Sequence, residues 1–399
     1  MIEILFLICV GLIIYIYFGF PLLLLVFVWI KELFIKSDRL TAGISDFYPS
    51  VTLLISAYNE EKIIEQKIRN SLELVYPESL LEIVVTADGS DDQTPEIVKS
   101  FLERGVKLLY HPDRRGKMAA INRAMPFTQG EIVVFSDANN MYHPDAIKEL
   151  VSPFRDPKVG GTNGAKYIVE GDGVLGEAEG LYWRYESYIK KLETRLISST
   201  AVAGEIFAIR KELFEPPPDN IINDDFFMAM RLVKRGYKVH YSHSAKSYER
   251  VSPTARDEVA RRARINAGRY QAIFLSHMLL PISRPMLIWQ VVSHKYFRLF
   301  VPFFMIGAFI TNLILVGFNH TSDLNIFLTR PVAIIFLILQ IMFYASSLIF
   351  SKFRNDNFLL KVLYLPTFLV NSNFAGLIGA VRYVTKKQST KWERVSRRD

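Results

Sequence analysis

The sequence predicts an α/β domain held between hydrophobic, membrane-spanning helices. Three observations predict it: an uncharged apolar run near the amino terminus, a strand–helix alternation through the middle, and a return of long apolar runs towards the carboxyl end. The chain has 399 residues and 50% of them are hydrophobic. That length allows one large domain plus membrane helices.

Residues 4–30 form a nearly unbroken apolar run without a charge. A spanning helix needs roughly 20 apolar residues, so the run can cross a bilayer and is too long for a signal-peptide core. Glu3 stands at its amino end in place of a positive cluster, and no small-residue cleavage site follows. Lys31 and Lys36 come just after it, so the positive-inside rule puts the following domain in the cytoplasm and the amino terminus outside.

Residues 300–318 and 331–350 read as a hairpin that leaves the cytoplasm and returns. The segment 319–330 between them is poor in positive charge, whereas 351–361 carries Lys352, Arg354 and Lys361. The run 358–384 is apolar but interrupted by Pro366, Asn371 and Asn373, and a tail with Lys386, Lys387, Lys391, Arg394, Arg397 and Arg398 follows it. A single crossing would leave this tail outside, against the charge rule, whereas a bent or re-entrant segment would not. Both readings stay open. The expected organisation is a membrane helix over 1–35, a cytoplasmic domain over 36–275, interfacial helices over 276–299, a membrane region over 300–384 and a basic tail over 385–399.

The net charge of +8 calls for no nucleic-acid partner. Much of it lies beside membrane segments, where Lys and Arg favour an anionic leaflet. Cys9 is the only cysteine, so no intrachain disulfide forms, in keeping with a reducing compartment.

In the middle domain, apolar runs at 51–57, 81–86, 106–110 and 131–136 read as strands. Helical spacing at 60–74, 92–103 and 116–125 separates them. This alternation implies a Rossmann-like, mostly parallel sheet with helices on both faces. Further on, 173–196 reads as a long helix with Tyr182, Trp183 and Tyr185, 203–210 as a strand, and 223–234 as a helix opening with Asp224 and Asp225. Residues 257–270 read as a basic helix, and 286–300, with His294, Lys295 and Arg298, as a helix lying in the membrane interface.

In parallel sheets ligands bind outside the carboxyl ends of the strands. Three polar clusters meet there: Ala57-Tyr58-Asn59-Glu60, Asp88-Gly89-Ser90 and Asp137-Ala138-Asn139. No Gly-x-Gly-x-x-Gly follows the first strand and no Walker loop occurs, which argues against a dinucleotide or P-loop site.

Ser56-Ala57-Tyr58-Asn59-Glu60-Glu61, Asp88-Gly89-Ser90, Arg115-Gly116-Lys117, Asp137-Ala138-Asn139, Asn223-Asp224-Asp225 and Arg261-x-x-Arg264 occur in this order. The ordered set resembles the family-2 glycosyltransferases of the GT-A fold, which include cellulose, chitin, hyaluronan and poly-N-acetylglucosamine synthases. The resemblance covers about residues 50–275. It implies that Tyr58, Glu60, Asp88 and Lys117 surround the nucleoside and its phosphates. It makes Asp137 and Asn139 the ligands of Mg²⁺ or Mn²⁺, where the family more usually has a second Asp. Taken alone, Asp88 is also a turn former and Asp137 a loop cap. Mg²⁺ is usually held by one or two carboxylates plus substrate phosphates and water, which Asp137 and a diphosphate supply.

Inverting transfer needs a general base for the acceptor hydroxyl. The resemblance puts that role on Asp225 and places Asp224 in the position of the family's Glu on the donor side. Locally, the same acids complement a helix N-terminus. Arg261 and Arg264 match the family's Gln-x-x-Arg-Trp element, with Arg264 at the leaving diphosphate, for which Arg geometry suits. Ile265 replaces the Trp that stacks on the acceptor in polymerising members, which counts against processive synthesis. Tyr182, Trp183 and Tyr185 are stacking candidates, although aromatic helices more often pack a core. Glu205, His240 and His243 receive no role.

The expectation is therefore an inverting transferase using a nucleoside-diphosphate sugar, a UDP sugar first, and a lipid-linked or saccharide acceptor. It would be a multi-pass integral membrane protein in contact with membrane lipids, of the plasma membrane if bacterial. One alternative is a polymer-extruding synthase, which four membrane segments would serve more easily as a homo-oligomer or with an export partner. Another is a non-catalytic sugar-nucleotide-binding scaffold. A transporter fits poorly, because the membrane segments are nearly uncharged.

Overall fold

The computed structural model describes residues 1–34, 47–169, 173–318, 329–350 and 358–389. Lys36, Lys352, Arg354, the 319–328 segment and the tail from residue 390 lie outside them. Among the described residues the strands β1 (Val51–Ala57), β2 (Leu81–Asp88), β3 (Val106–His111), β4 (Ile132–Asp137), β5 (Met141–Tyr142), β6 (Val159–Ile168), β7 (Phe207–Arg210) and β8 (Lys238–Glu249) form one sheet. Their order is β3-β2-β1-β4-β7-β6-β8-β5. The sheet is mixed and mostly parallel: β4–β7, β7–β6 and β5–β8 pair antiparallel, the other neighbours parallel.

Alternate residues of a strand face opposite sides, and β1 shows this directly. Leu53 and Ile55 pack with Ile64, Ile68 and Val98 on one side, while Leu54 packs with Met118, Ile121 and Phe207 on the other. The register aligns Ala57 with Ala87 and Ser56 with Asp137. The carboxyl ends of β1, β2 and β4 are thereby level, and their polar clusters share one edge.

β6 carries Gly160, Gly161 and Gly164, a weak strand composition. The reason is space. A Cβ at Gly160 would meet Tyr237 at 2.8 Å, and one at Gly164 would meet Ile206 at 2.5 Å. β6 and β8 bring Lys166 and Glu249 into contact, with a register shift between Gly164 and Ala165.

Helices Ile2–Phe34, Pro285–Gly317 and Arg330–Ile349 are long and apolar enough to cross a membrane. Only 28%, 39% and 11% of their apolar windows are covered by protein, so most of that surface calls for an apolar solvent. Phe358–Val384 is one continuous helix with Pro366 inside it. A Cβ at its Gly379 would come within 2.8 Å of Ala263 O. This is close backbone approach of the kind small residues permit between membrane helices.

The segment expected to lie in the interface differs. Residues 285–318 run on as one helix through a π turn at Val292–Tyr296. Its polar residues face protein: His294 lies between Glu193 (2.8 Å) and Glu186 (3.3 Å), and Lys295 and Arg298 also pair with Glu186. Those carboxylates belong to the Gly173–Leu196 helix, which also packs Ile189 and Leu192 against Phe20, Leu24 and Val28. Lys31 donates to the carbonyls of Arg195 and Leu196, both at 2.7 Å, and so caps that helix's negative end.

Candidate active site

Tight turns at the strand ends position the site. Asn59 adopts a left-handed φ of 52°. Its side chain donates to Asp91 at 2.6 Å and accepts the Asp91 N–H at 3.0 Å, tying the β1 and β2 loops together. Asp88 accepts the backbone N–H groups of Arg115 (2.9 Å) and Gly116 (2.6 Å) and a hydrogen bond from Arg123 (2.5 Å). It therefore shapes the turn that starts the Lys117–Ala124 helix. Gly116 has a φ of 104°, which favours glycine. Tyr58 lies under the Arg114 guanidinium, 3.9 Å from the ring centre.

Lys117, the first residue of its helix, donates to Asp137 at 2.6 Å and lies 3.9 Å from Asp224. Burial pushes its ammonium towards neutrality, but Asp137, Asp224 and Asp225 outweigh that and raise its pKa. Asp225 follows Asp224 in the first turn of the Asp224–Lys234 helix and accepts the Phe226 N–H at 2.7 Å. Burial, reinforced by Asp224, pushes its pKa up to about 6. Asn223 donates to the Ile265 carbonyl at 2.9 Å, so the paired acids are locked to the Ala255–Phe274 helix.

On that helix the arginines divide. Arg261 is held by Glu258 at 2.7 Å, and Arg262 by Glu179 at 2.6 Å and Glu258 at 2.8 Å. Arg264 lines the cavity and forms no ion pair with a described residue.

One cavity of about 910 Å³ collects Glu60, Lys117, Asp137, Asn139, Asp225 and Arg264. Asp224 and Arg261 also line it. Small-molecule sites span roughly 300–1,000 Å³, so there is room for more than a donor. Tyr58 and Asp88 lie instead by an adjoining pocket of about 10 Å³ that shares Lys117.

Among the described residues no three His, Cys, Asp or Glu side chains cluster as a metal site. The residues present still fit a divalent cation that uses a diphosphate as co-ligand. Asp137 offers a carboxylate, and the buried Asn139 Oδ1 has no hydrogen-bond partner among the described residues. A buried orphan oxygen is costly unless something fills it.

Sequence reasoning missed Lys166 and Lys67, and named Trp183 only as a stacking candidate. Lys166 pairs with Glu205 at 3.3 Å and with Glu249, inside the cavity wall. It comes from β6, whose glycines concealed the strand. Trp183 lines the cavity with its indole N–H unbonded among the described residues and the Lys166 ammonium over its ring, 5.1 Å from the centre. Its neighbours are more committed: Tyr182 lies against Arg262, and Tyr185 donates to the Tyr17 carbonyl at 2.7 Å. Lys67, fully buried, donates to the Asn140 carbonyl at 2.7 Å just behind Asp137, and burial lowers its pKa to about 7. Spacing marked Lys67 only as one more helix residue. His240 and His243 are not among the cavity-lining residues.

Comparison with known proteins bears on the family and the fold. Residues 52–216 match the model of Glycosyl transferase family 2. The chain is 24% identical over 381 residues to "Probable glycosyltransferase YdaM" of Bacillus subtilis, covering 88% of this chain and 87% of the relative. It is 25% identical over 234 residues to a poly-beta-1,6-N-acetyl-D-glucosamine synthase of Staphylococcus aureus, covering 57% of this chain and 56% of the relative. In fold it is similar to the mannosyltransferase PcManGT from Pyrobaculum calidifontis, solved in complex with GDP-Man and Mn²⁺. That match has a TM-score of 0.71 at 22% identity and covers 97% of this chain and 100% of the other. The chain thus carries a glycosyl transferase family 2 domain of GT-A fold, flanked by candidate membrane helices, and is a glycosyltransferase.

Proposed function

We infer that the chain transfers a sugar, with inversion, from a nucleoside-diphosphate sugar to an acceptor presented at the membrane. The observation that carries this is Asp225, with a pKa raised to about 6, in the same cavity as the Lys117–Asp137 pair. A carboxylate of that basicity takes a hydroxyl proton better than an ordinary Asp. The acceptor oxygen attacks the anomeric carbon, Asp225 receives its proton, and the bond to the diphosphate breaks. Tyr58, Glu60 and Asp88 belong to the nucleoside side. Lys117, Asp224 and Arg264 belong to the phosphates and sugar; Arg264 forms no ion pair with a described residue, whereas Arg261, expected there as well, is held by Glu258. Mg²⁺ or Mn²⁺, bound by Asp137 and Asn139, would neutralise charge on the diphosphate.

A UDP sugar is the first donor to test, and the similar mannosyltransferase fold with GDP-Man makes a GDP sugar the second. The catalytic domain faces the cytoplasm in this reading. Protease added outside intact spheroplasts should spare residues 51–270, and cleavage there without lysis would reverse the topology. The test of function is purified chain with radiolabelled UDP and GDP sugars plus membrane lipids. Nucleotide release coupled to a labelled product is expected. Nucleotide binding with no product under any acceptor would favour a scaffold.

A further inference from the structure

We propose that the acceptor is a lipid-linked saccharide: a sugar head joined through phosphate to a long hydrocarbon chain, seated partly between the membrane helices. This rests on the transferase reading above and names the second substrate of that site.

The shape of the cavity is the first observation. From Asp137 and Asp225 it continues without interruption into the membrane part of the chain. There it is lined by Val10 and Ile13 of the first helix, Met305, Phe343, Leu365 and Leu369. Asn373 and Gln340, which line it there beside Ser372, are already paired. Asn373 donates to Tyr17 at 3.3 Å and to the Leu369 carbonyl at 2.8 Å, and Asn312 and Gln340 pair at 3.1 Å. A hydroxyl-rich polymer in such a limb would lose its water without gaining partners. A hydrocarbon chain would lose nothing.

The distribution of charge is the second observation. Of the arginines that line the cavity, Arg262 and Arg298 are neutralised by Glu179 and Glu186. Arg269 and Arg382 line the same cavity with no ion pair to a described residue, and Arg269 meets only the Asn266 amide oxygen, at 3.3 Å. Two cationic forks that share the cavity with the apolar limb and form no ion pair with a described residue suit a phosphate linkage. The head would then reach towards Asp225. Its hydroxyl oxygen bonds to the donor's anomeric carbon, its proton passes to Asp225, and the nucleoside diphosphate leaves with the electron pair of the broken bond.

The experiment separates chain from charge. Purified full-length chain in nanodiscs receives labelled donor with four acceptors carrying the same sugar. These are a phosphate-linked long-chain lipid, a neutral long-chain glycoside, a short water-soluble sugar phosphate, and a free oligosaccharide. The first should exceed each of the others in kcat/KM by roughly tenfold or more, the scale of one charge-assisted contact. Arg269→Gln with Arg382→Gln should bring the ratio of first to second close to one, an effect that general destabilisation does not produce. As a second readout, a photoactivatable phosphate-linked lipid should label the first helix or 358–384 in wild-type chain. Equal use of the neutral glycoside, or preference for the free oligosaccharide, overturns the proposal, as does labelling elsewhere. Nucleotide binding is measured on the same preparations. If wild type binds no nucleotide, the transferase reading fails; if it binds nucleotide and glycosylates only the oligosaccharide, the acceptor assignment alone fails.

Discussion

Lys117 donates a 2.6 Å hydrogen bond to Asp137, the carboxylate proposed to hold the metal. The raised pKa of Lys117 keeps it cationic at neutral pH, so it neutralises Asp137 when no divalent ion is there. With Asp137 engaged by a cation, Lys117 would be free to serve the donor phosphates. Nucleotide affinity should therefore rise with Mg²⁺ or Mn²⁺ in wild type and lose that dependence in Asp137→Asn. Turnover should vanish on chelation and return with either ion. Full activity in excess chelator would remove the metal role.

Asp225→Asn keeps the shape and removes the proton acceptor. Transfer should fall by roughly 10² or more, with nucleotide affinity changed only a few fold. In wild type, kcat/KM should climb as pH rises through about 6, where Asp225 ionises, and the variant should lack that limb. Stability moves the other way. The folded chain holds this proton more tightly than the unfolded chain, so ionisation between about pH 4 and 6 costs folding free energy. At pH 7 the variant should be more stable by about 1–3 kcal/mol, read as a higher unfolding temperature. Near-normal transfer by a folded variant would reduce Asp225 to a helix-terminal charge.

These two sites were legible in the sequence for a physical reason. Asp88, Asp137 and the acids at 224–225 terminate strands or open a helix, where turn chemistry and ligand chemistry coincide. Strand β1 matches its expected span, 51–57, because a buried parallel strand is a continuous apolar run. β6 and β8 escaped because neither is such a run. β6 gives up side chains to let Tyr237 and Ile206 approach, and β8 is polar, although Val239 and Tyr241 alternate inward. Without them, Lys166 and Glu249 had no place near the site. The pair between Arg262 and Glu179 was equally hidden, since 83 residues separate them, whereas Glu258 stands one turn before Arg261 and Arg262 on the same helix.

Arg264 and Arg261 should separate on substitution. Arg261 is consumed by Glu258, so Arg261→Lys should act mainly on stability, by weakening a part-buried pair. Arg264 has no such partner among the described residues, and Arg264→Lys loses the bidentate fit to a diphosphate. Loss of one such stabilising contact costs roughly 10²-fold in kcat. The check is steady-state kinetics beside unfolding temperature for both variants. A kcat loss at 261 as large as at 264 would place both on the diphosphate.

Product size is the remaining question, and Ile265 bears on it directly. Polymerising relatives place an indole where this chain has an aliphatic side chain, so the acceptor pyranose loses a stacking face there. Trp183 lies in the same cavity, but its indole already faces the Lys166 ammonium at 5.1 Å. It offers the acceptor an N–H more readily than an open ring. The membrane part adds a second limit, since Asn373, Gln340 and Asn312 are paired to protein and leave little to solvate a moving polymer. The purified chain in liposomes should therefore add one or a few sugars and release a product that stays with the lipid fraction. Ile265→Trp should lengthen that product slightly at most, because one stacking face does not supply a polar path through the bilayer. Electrophoresis of labelled product from sealed liposomes gives the answer. A long ladder of oligomers delivered to the lumen by the unassisted chain would establish a polymer-extruding synthase instead.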